Sequence, residues 1–374
     1  MYFEQGPIRP PSEASSLLLR VTRNCPWNRC GFCATYKGKK FSRRTVDEIK
    51  KDIDQVVDLA GRIGEYSLQQ GHGGEITRQV VMGLHVKGDW QMFHVAYWLY
   101  HGGYSVFLQD ANSIMVKTED LVEIIAYLKQ KFPSVKRITS YGRSNSILRK
   151  SVQELKQLHA VGLSRIHVGL ESGSDDVLKY IDKGVTAAQH IEAGQRVVES
   201  GLSLSEYVIL GMGGKRWTKE HAVKTAEVLN SINPDFIRLR TLSMRRGIAM
   251  IEKVQSGEFE LLHEDEVVRE EKVLISGLKD ITSYLASDHS LNLLQEVEGK
   301  FPVDKNKMLA VIDKYLSLPD AERLNFRLGK RSNIYLQLSD MEDQEKYNYV
   351  QDALLETGEK NPEDIIEYLK NQCL

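Results

Sequence analysis

Cysteine is scarce in this chain, with four residues in 374, at positions 25, 30, 33 and 373. That count and the length exclude the disulfide frameworks that hold small secreted domains together. An excess of one charge is lacking too: 50 basic against 51 acidic residues give a formal net charge of −1, and no basic run exceeds a few residues. Broad nucleic-acid binding lacks its usual footprint, so no nucleic-acid partner is expected. No apolar stretch is long enough to span a bilayer and no signal peptide is visible, which predicts a cytoplasmic protein without a membrane partner. No glycine- or proline-rich linker sets off the C-terminal third, so that region is expected to dock tightly. The length suits one or two domains.

Three of the four cysteines are concentrated in Cys25-Pro26-Trp27-Asn28-Arg29-Cys30-Gly31-Phe32-Cys33. Three soft thiolates can hold three corners of a [4Fe–4S] cube and leave its fourth iron open for chemistry. A zinc site usually takes four ligands. Zinc here would need Cys373 or a histidine as the fourth, and the nearest histidine is His72. Cys373 alone cannot supply a second cysteine-ligated cluster.

Around this loop the chain alternates short apolar runs with helical stretches. Strands are predicted at 16–24, 105–109, 137–141, 164–170, 202–210 and 236–242. Helices are predicted at 44–62, 118–132, 150–160, 175–181, 187–200 and 218–232. Such alternation argues for parallel βα units. Residues 63–103 form a long insertion before the second strand, carrying Trp90, Phe93, Tyr97, Trp98 and Tyr100. One or two extra helices are expected there, covering the cysteine loop or forming a homodimer contact. His94 and His101 would share a helix face, where packing is the simpler role for them. Gly73-Gly74-Glu75 is read as a loop. From 255 to 374 the sequence is charged and helical with few strand signals, and a helix capped by Ser287 or Asp288 is expected.

The strands alternate with period two. Ile166, Val168 and Leu170 oppose Arg165, His167, Gly169 and Glu171; Ile237 and Leu239 oppose Arg238 and Arg240. If helices cover the apolar face, the polar set points inward. Arg20, Gln109, His167, Glu171, Arg238 and Arg240 would then line a lumen suited to a polar, partly anionic ligand. Active sites of such barrels gather at the C-terminal strand ends. Those ends carry Asp110, Asn112, Ser140, Arg143, Glu171, Gly211 and Gly213. His167, Arg238 and His289 are candidates for groups acting on substrate.

A strand, a three-cysteine loop and a helix resemble the start of the radical S-adenosylmethionine (radical SAM) superfamily, and Phe32 before the last cysteine fits that pattern. The resemblance implies an α/β fold, a partial (β/α)6 TIM-like barrel over residues 12–254 with an added helical C-terminal region over 255–374. It implies that Cys25, Cys30 and Cys33 hold a [4Fe–4S] cluster whose open iron binds S-adenosyl-L-methionine. Reductive cleavage then yields a 5′-deoxyadenosyl radical that abstracts hydrogen, with an external electron donor of flavodoxin or ferredoxin type. Gly-Leu-Glu-Ser-Gly-Ser at 169–174 resembles the fourth-strand motif of the branch containing oxygen-independent coproporphyrinogen oxidase and the B12-dependent methylases, which makes Glu171 a contact for S-adenosylmethionine. Gly211-Met212-Gly213-Gly214 resembles the fifth-strand turn against adenine. By position at the strand ends, Asp110, Asn112, Ser140, Arg143 and Arg240 join the cofactor-binding set.

The chain departs from the family in two places. Its spacing is Cys-x4-Cys-x2-Cys where Cys-x3-Cys-x2-Cys is usual, and Gln109-Asp110-Ala111-Asn112 stands where a Gly-Gly-Glu-like turn is common. Fifteen residues precede Ser16, so no N-terminal cobalamin domain is expected. The expected substrate is a small, polar, anionic metabolite, a reading that Arg143, Arg238, Arg240 and Arg245 motivate. The alternatives are modification of RNA or protein, and a non-catalytic iron–sulfur or zinc protein.

Overall fold

The computed structural model describes residues 3–244, 247–356 and 361–372; Arg245 and Cys373 lie outside the described residues. Two compact units interleave along the chain. Met1–Arg29, Thr35–Val168 and Glu192–Leu204 make the first, and Cys30–Ala34, Gly169–Ile191 and Ser205–Leu374 make the second.

In the first unit, β1 (Leu17–Arg20) leads into β2 (Thr22–Arg23), which pairs antiparallel with β3 (Ser42–Arg43). Helix α1 (Val46–Gln69) opens on a capping box: the Thr45 hydroxyl accepts from the Glu48 amide while the Glu48 carboxylate accepts from the Thr45 amide. Asp47 and Glu48 also sit at the positive end of the helix dipole. α2 (Arg78–Val86) and α3 (Trp90–Tyr100) occupy the insertion. Then come β4 (Ser105–Gln109), α4 (Thr118–Lys131), β5 (Arg137–Gly142), α5 (Ser144–Ile147), α6 (Val152–Val161) and β6 (Leu163–Glu171). β1, β4, β5 and β6 are parallel neighbours in that order, with Leu19 beside Leu108, Phe107 beside Thr139 and Tyr141 beside His167. Ile53, Ile63, Val106, Leu108 and Ile124 are fully buried between sheet and helices, the apolar burial that drives such layers together.

The second unit takes the last three residues of β6 and continues through α7 (Asp175–Tyr180) and α8 (Ala187–Glu199), whose later part belongs to the first unit. β7 (Ser203–Leu210), α9 (Gly214–Ile232), β8 (Phe236–Thr241), α10 (Met250–Gln255), α11 (Glu264–Gly277), β9 (Tyr284–Ala286) and β10 (Gly299–Lys300) follow. Helices α12 (Lys305–Ser317), α13 (Asp320–Arg331), α14 (Gln344–Glu356) and α15 (Pro362–Gln372) complete it. β7, β8 and β9 run parallel, and β10 is antiparallel to β9.

Four expectations are corrected. The first strand does not run through 16–24: it breaks at Val21, whose amide donates to the Gln109 carbonyl, and Thr22–Arg23 turn away to pair with Ser42–Arg43. No helix starts at Ser287 or Asp288; the chain there runs irregularly through turns between β9 and β10, and the Asp288 carboxylate is taken by Arg238 and Arg240 rather than by free helix amides. Two short strands therefore stand in a region read as helical. The polar row of β1, β4 and β6 does not line open space. Residues 3–16 lie on it: Gln109 accepts from the Gly6 amide at 2.7 Å and donates to the Ile8 carbonyl at 2.6 Å, and His167 meets Glu13.

Candidate functional site

The cysteine loop is held by asparagines on its first-unit side. Asn24 and Asn28 have φ of 66° and 48°, the left-handed region that asparagine tolerates better than most residues. Their side-chain amides reach across to a second stretch of backbone. Asn24 Nδ2 donates to the Lys40 carbonyl at 2.6 Å, and Asn28 Nδ2 to the Tyr36 carbonyl at 2.5 Å. The Asn28 amide points at Cys25 Sγ, 3.4 Å away. In the second unit, the Gly31 amide donates to the Ile181 carbonyl at 2.8 Å, and the Met250 amide donates to the Gly31 carbonyl at 3.2 Å. Phe32 and Ala34 pack on a core of Val177, Ile181, Met212, Ile248, Met250 and Phe259. Cys25, Cys30 and Cys33 form no disulfide among the described residues, with Cys30 buried and the other two half-buried. Thiolate sulfur is the donor type that iron–sulfur clusters take. Among the described residues, no three His, Cys, Asp or Glu side chains gather to hold a single metal ion.

Asp110 is the hub of the first unit's strand ends. It is fully buried and accepts from Arg20 Nε at 3.1 Å, Arg20 Nη2 at 2.7 Å, the Asn24 amide at 3.2 Å and the Tyr36 hydroxyl. Burial, then the bond to Asp110, pushes the Tyr36 hydroxyl far above its ordinary range, so it stays a donor. Asn112 is also committed: its Nδ2 donates to Ser146 Oγ at 2.8 Å and its Oδ1 accepts from the Arg143 amide at 3.0 Å. The Arg143 guanidinium lies 5.4 Å from the ring centre of Trp27, and that of Arg29 lies 4.9 Å from it. Ser140 is fully buried, with its hydroxyl turned to the Tyr141 carbonyl.

His167 sits deeper, in a ring cluster with Phe107 and Tyr141. Its Nε2 lies 3.4 Å from Glu13 Oε1, and neither side chain is exposed. Burial alone would raise the Glu13 pKa, but His167, Ser16 and Arg137 together hold it below the ordinary carboxylate value. His167 is thus placed in a buried ion network, and Glu13 is a residue that sequence reasoning passed over, since it lies in a segment read only as leading to the first strand.

In the second unit, Glu171 adopts φ of 63° at the end of β6, which folds its carboxylate back over Gly169. Lys183 Nζ donates to Glu171 Oε1 at 2.7 Å, and the same ammonium lies 5.8 Å from the Phe32 ring centre. Glu206 on β7 faces this pair. It is fully buried, and its Oε2 has no hydrogen-bond partner among the described residues. Burial, reinforced by Glu171 and partly offset by Lys183, raises its pKa well above the ordinary carboxylate value. Lys183 and Glu206 were both missed. A carboxylate inside the apolar strand Leu204–Leu210 was a readable warning; Lys183, in a turn, gave none.

The glycine turn after β7 is tightly enclosed. The Gly211 amide donates to Glu270 Oε1 at 2.6 Å, and a Cβ on Gly213 would meet the Trp217 backbone at 2.9 Å. Gly211 borders a cavity with Thr241, Leu242, Met244, Glu264 and Lys370.

β8 supplies the strongest cationic feature. Arg238 Nη1 and Arg240 Nη1 reach the two oxygens of Asp288 at 2.6 and 2.8 Å. Arg240 also lies 4.9 Å over the Tyr207 ring. Burial pushes the Tyr207 hydroxyl up to about 12 although both arginines pull it down. Burial would likewise raise the Asp288 pKa, but Arg240 and Arg238 hold it below the ordinary value. Two guanidinium groups with one carboxylate leave a surplus positive charge. His289 follows Asp288 directly and is half-buried, with its carbonyl accepting from the Asn292 amide.

Residues 102–229 match the family profile described as Radical SAM superfamily. A tRNA uridine(34) acetyltransferase of Methanocaldococcus infernus is 23% identical over 231 residues, covering 60% of this chain and 42% of that protein. A 4′-phospho-dehydrooxetanocin synthase of Priestia megaterium is 25% identical over 193 residues, covering 50% of this chain and 22% of that protein. The chain thus spans less than half the length of these curated relatives. A solved structure of the cobalamin-dependent S-adenosylmethionine radical enzyme OxsB, with aqua-cobalamin and S-adenosylmethionine bound, superposes with a TM-score of 0.48 at 13% identity, covering 96% of this chain and 54% of that one. The chain carries a radical SAM domain, an α/β fold of mostly parallel strands with helices between them. With that domain come a [4Fe–4S] cluster and S-adenosylmethionine as cofactors. No helix among the described residues is long and apolar enough to cross a membrane.

Proposed function

We propose that this radical SAM enzyme removes hydrogen from a small polar anion, with Cys25, Cys30 and Cys33 as cluster ligands and Arg238 and Arg240 as the anion receptor. The cluster and S-adenosylmethionine supply the radical, and the chain supplies position and charge. Lys183 offers a cation for the carboxylate of S-adenosylmethionine, and Glu171 an acceptor for its hydroxyl or ammonium groups. Glu206, buried beside them, is pushed towards its neutral form. Gly211 and Gly213 let backbone approach a flat base.

The observation that carries this reading is the Asp288 carboxylate shared by the two arginines of β8. Asp288 holds two arginines in one orientation yet neutralises only one of them. An arginine pair pre-aimed in this way suits a carboxylate or phosphate on the substrate. Asp110 and Asn112, already bonded within the first unit, support the cysteine loop more than they offer free acceptors to a ligand.

A second reading is modification of an RNA, which the tRNA-acting relatives favour. The same arginine pair would then meet a phosphodiester.

The test is anaerobic reconstitution with dithionite as reductant and Cys30→Ala as control. Formation of 5′-deoxyadenosine by the parent alone supports the cofactor assignment. Acceleration by a panel of carboxylates and phosphomonoesters, lost in Arg240→Gln, supports the anion reading. Acceleration by tRNA and by no metabolite supports the second. A loaded, reducible cluster with no cleavage under any of these conditions refutes both.

A further inference from the structure

Helix α9 grips the end of β6 residue by residue. The Ser172 hydroxyl lies 2.8 Å from His221 Nδ1, the Gly173 amide donates to Thr225 Oγ1 at 2.9 Å, and the Ser174 hydroxyl donates to Glu220 Oε1 at 2.5 Å. A Cβ on Gly173 would stand 2.3 Å from the Lys224 carbonyl oxygen, so this turn lies directly on the helix backbone. Ser172, Ser174, His221, Thr225 and Glu270 are all buried. Ser172 Oγ already accepts from the Ser174 amide at 3.1 Å, so its single proton goes to His221 Nδ1. The ring proton then sits on Nε2, which faces Glu270 Oε1 at 3.6 Å, a distance for electrostatic attraction rather than a full hydrogen bond. Glu270 in turn holds the glycine turn after β7: its Oε1 accepts from the Gly211 amide and its Oε2 from the Thr218 hydroxyl at 2.7 Å. His221 therefore stands between the end of β6 and the glycine turn, with one ring nitrogen towards each.

We infer that His221 is a positioning residue for S-adenosylmethionine: through Ser172 and Glu270 it sets the spacing between the 171–174 turn and the 211–214 turn without touching the ligand itself. The inference rests on the reading above, in which Glu171 and the glycine turn meet S-adenosylmethionine. Packing alone would be served by an apolar side chain of similar volume. An imidazole between a hydroxyl and a carboxylate fixes orientation as well as volume, because each nitrogen accepts only one kind of partner. The relay is buried, so water does not take the place of a lost member. Cutting it leaves a polar group short of a partner, and the backbone turns shift to recover one. No proton or electron passes along the relay; its role is to hold two backbone turns in register.

The experiment is calorimetric titration of the cluster-loaded protein with S-adenosylmethionine, without reductant or turnover. His221→Leu keeps much of the volume and removes both polar contacts, and its affinity should fall about tenfold. His221→Asn brings an amide oxygen near the Nδ1 position, where it accepts from Ser172, and should recover part of the loss. Ser172→Ala cuts the same bond from the other side. It should weaken binding too, and the double variant should be little weaker than either single one, as members of one network are. Asn230→Ala is the control for stability. It breaks two hydrogen bonds further along α9, to the Gly277 carbonyl and from the Lys279 amide, and should leave the affinity unchanged. Parent affinity in His221→Leu and Ser172→Ala overturns the inference, as does an equal loss in Asn230→Ala or an asparagine variant as weak as the leucine one. Ser172→Ala, the smaller change, decides the matter where His221→Leu does not fold. Glu171→Gln tells failure of the relay from failure of the site. If it weakens binding while His221→Leu and Ser172→Ala do not, the relay alone is wrong. If none of the three weakens it, the reading of the site falls as well.

Discussion

Lys183 Nζ donates to Glu171 Oε1 at 2.7 Å, and the two groups occupy the space a side chain at Gly169 would need. A Cβ at that position would stand 2.1 Å from the Glu171 oxygen and 2.9 Å from the lysine nitrogen. Gly169→Ala should therefore displace the pair. Binding of S-adenosylmethionine, measured by calorimetry on the cluster-loaded protein, should weaken by about tenfold or more. Lys183→Met should also lower stability, by about 3 kcal/mol, because it leaves a buried carboxylate without its cation. Chemical denaturation at pH 7 checks the second value.

Glu13→Gln should destabilise the first unit by roughly 2 kcal/mol, because Arg137 and His167 lose a buried anion. The pH dependence has a definite sign. The Glu13 pKa is lowered in the folded state, so its contribution is present above the unfolded value of 4.5 and lost as pH falls through the lower folded value. The parent should lose stability on acidification more steeply than the variant, which denaturation curves between pH 3 and pH 6 would show (the range spans about the unfolded carboxylate pKa).

Glu271 makes the opposite prediction. Burial, then Glu296 and Glu270, raise its pKa to about 8. A raised acid stabilises the fold below its unfolded pKa of 4.5 and loses that contribution as pH climbs towards about 8. Glu271→Gln should raise the melting temperature in mildly alkaline buffer by several degrees, about 1–2 kcal/mol, and change little near pH 5. Thermal melts across that range decide it.

Arg240→Gln should raise the KM for an anionic substrate by about tenfold, while the slow cleavage of S-adenosylmethionine without substrate is kept. Asp288→Asn should strengthen anion binding, because it removes the competing carboxylate. Saturation curves for both variants test the pair.

The alternation of strand and helix was legible because each βα unit writes period two and then period 3.6 into the chain. The cysteine loop stood out because three of the four cysteines fall within nine residues. What sequence could not show was the use of the polar face. Gln109 and His167 read as lumen residues, but their partners are Gly6, Ile8 and Glu13, some 100 to 154 residues away in sequence. Local pattern carries no record of such distant bonds. The helix expected at Ser287 failed for the same reason: a good capping residue was claimed by two arginines on another strand.

The segment from Phe3 to Ser16 has a practical consequence at the bench. It lends Gln109, Arg20, Arg23, Arg137 and His167 the partners they need indoors. A shortened version of the protein starting at the first sheet strand would not be a trimmed enzyme but one with a row of unanswered polar groups facing water they were never built to meet. Tags belong ahead of Phe3 on a spacer, and any gene whose start is placed too late should yield a product that precipitates rather than one that is merely smaller.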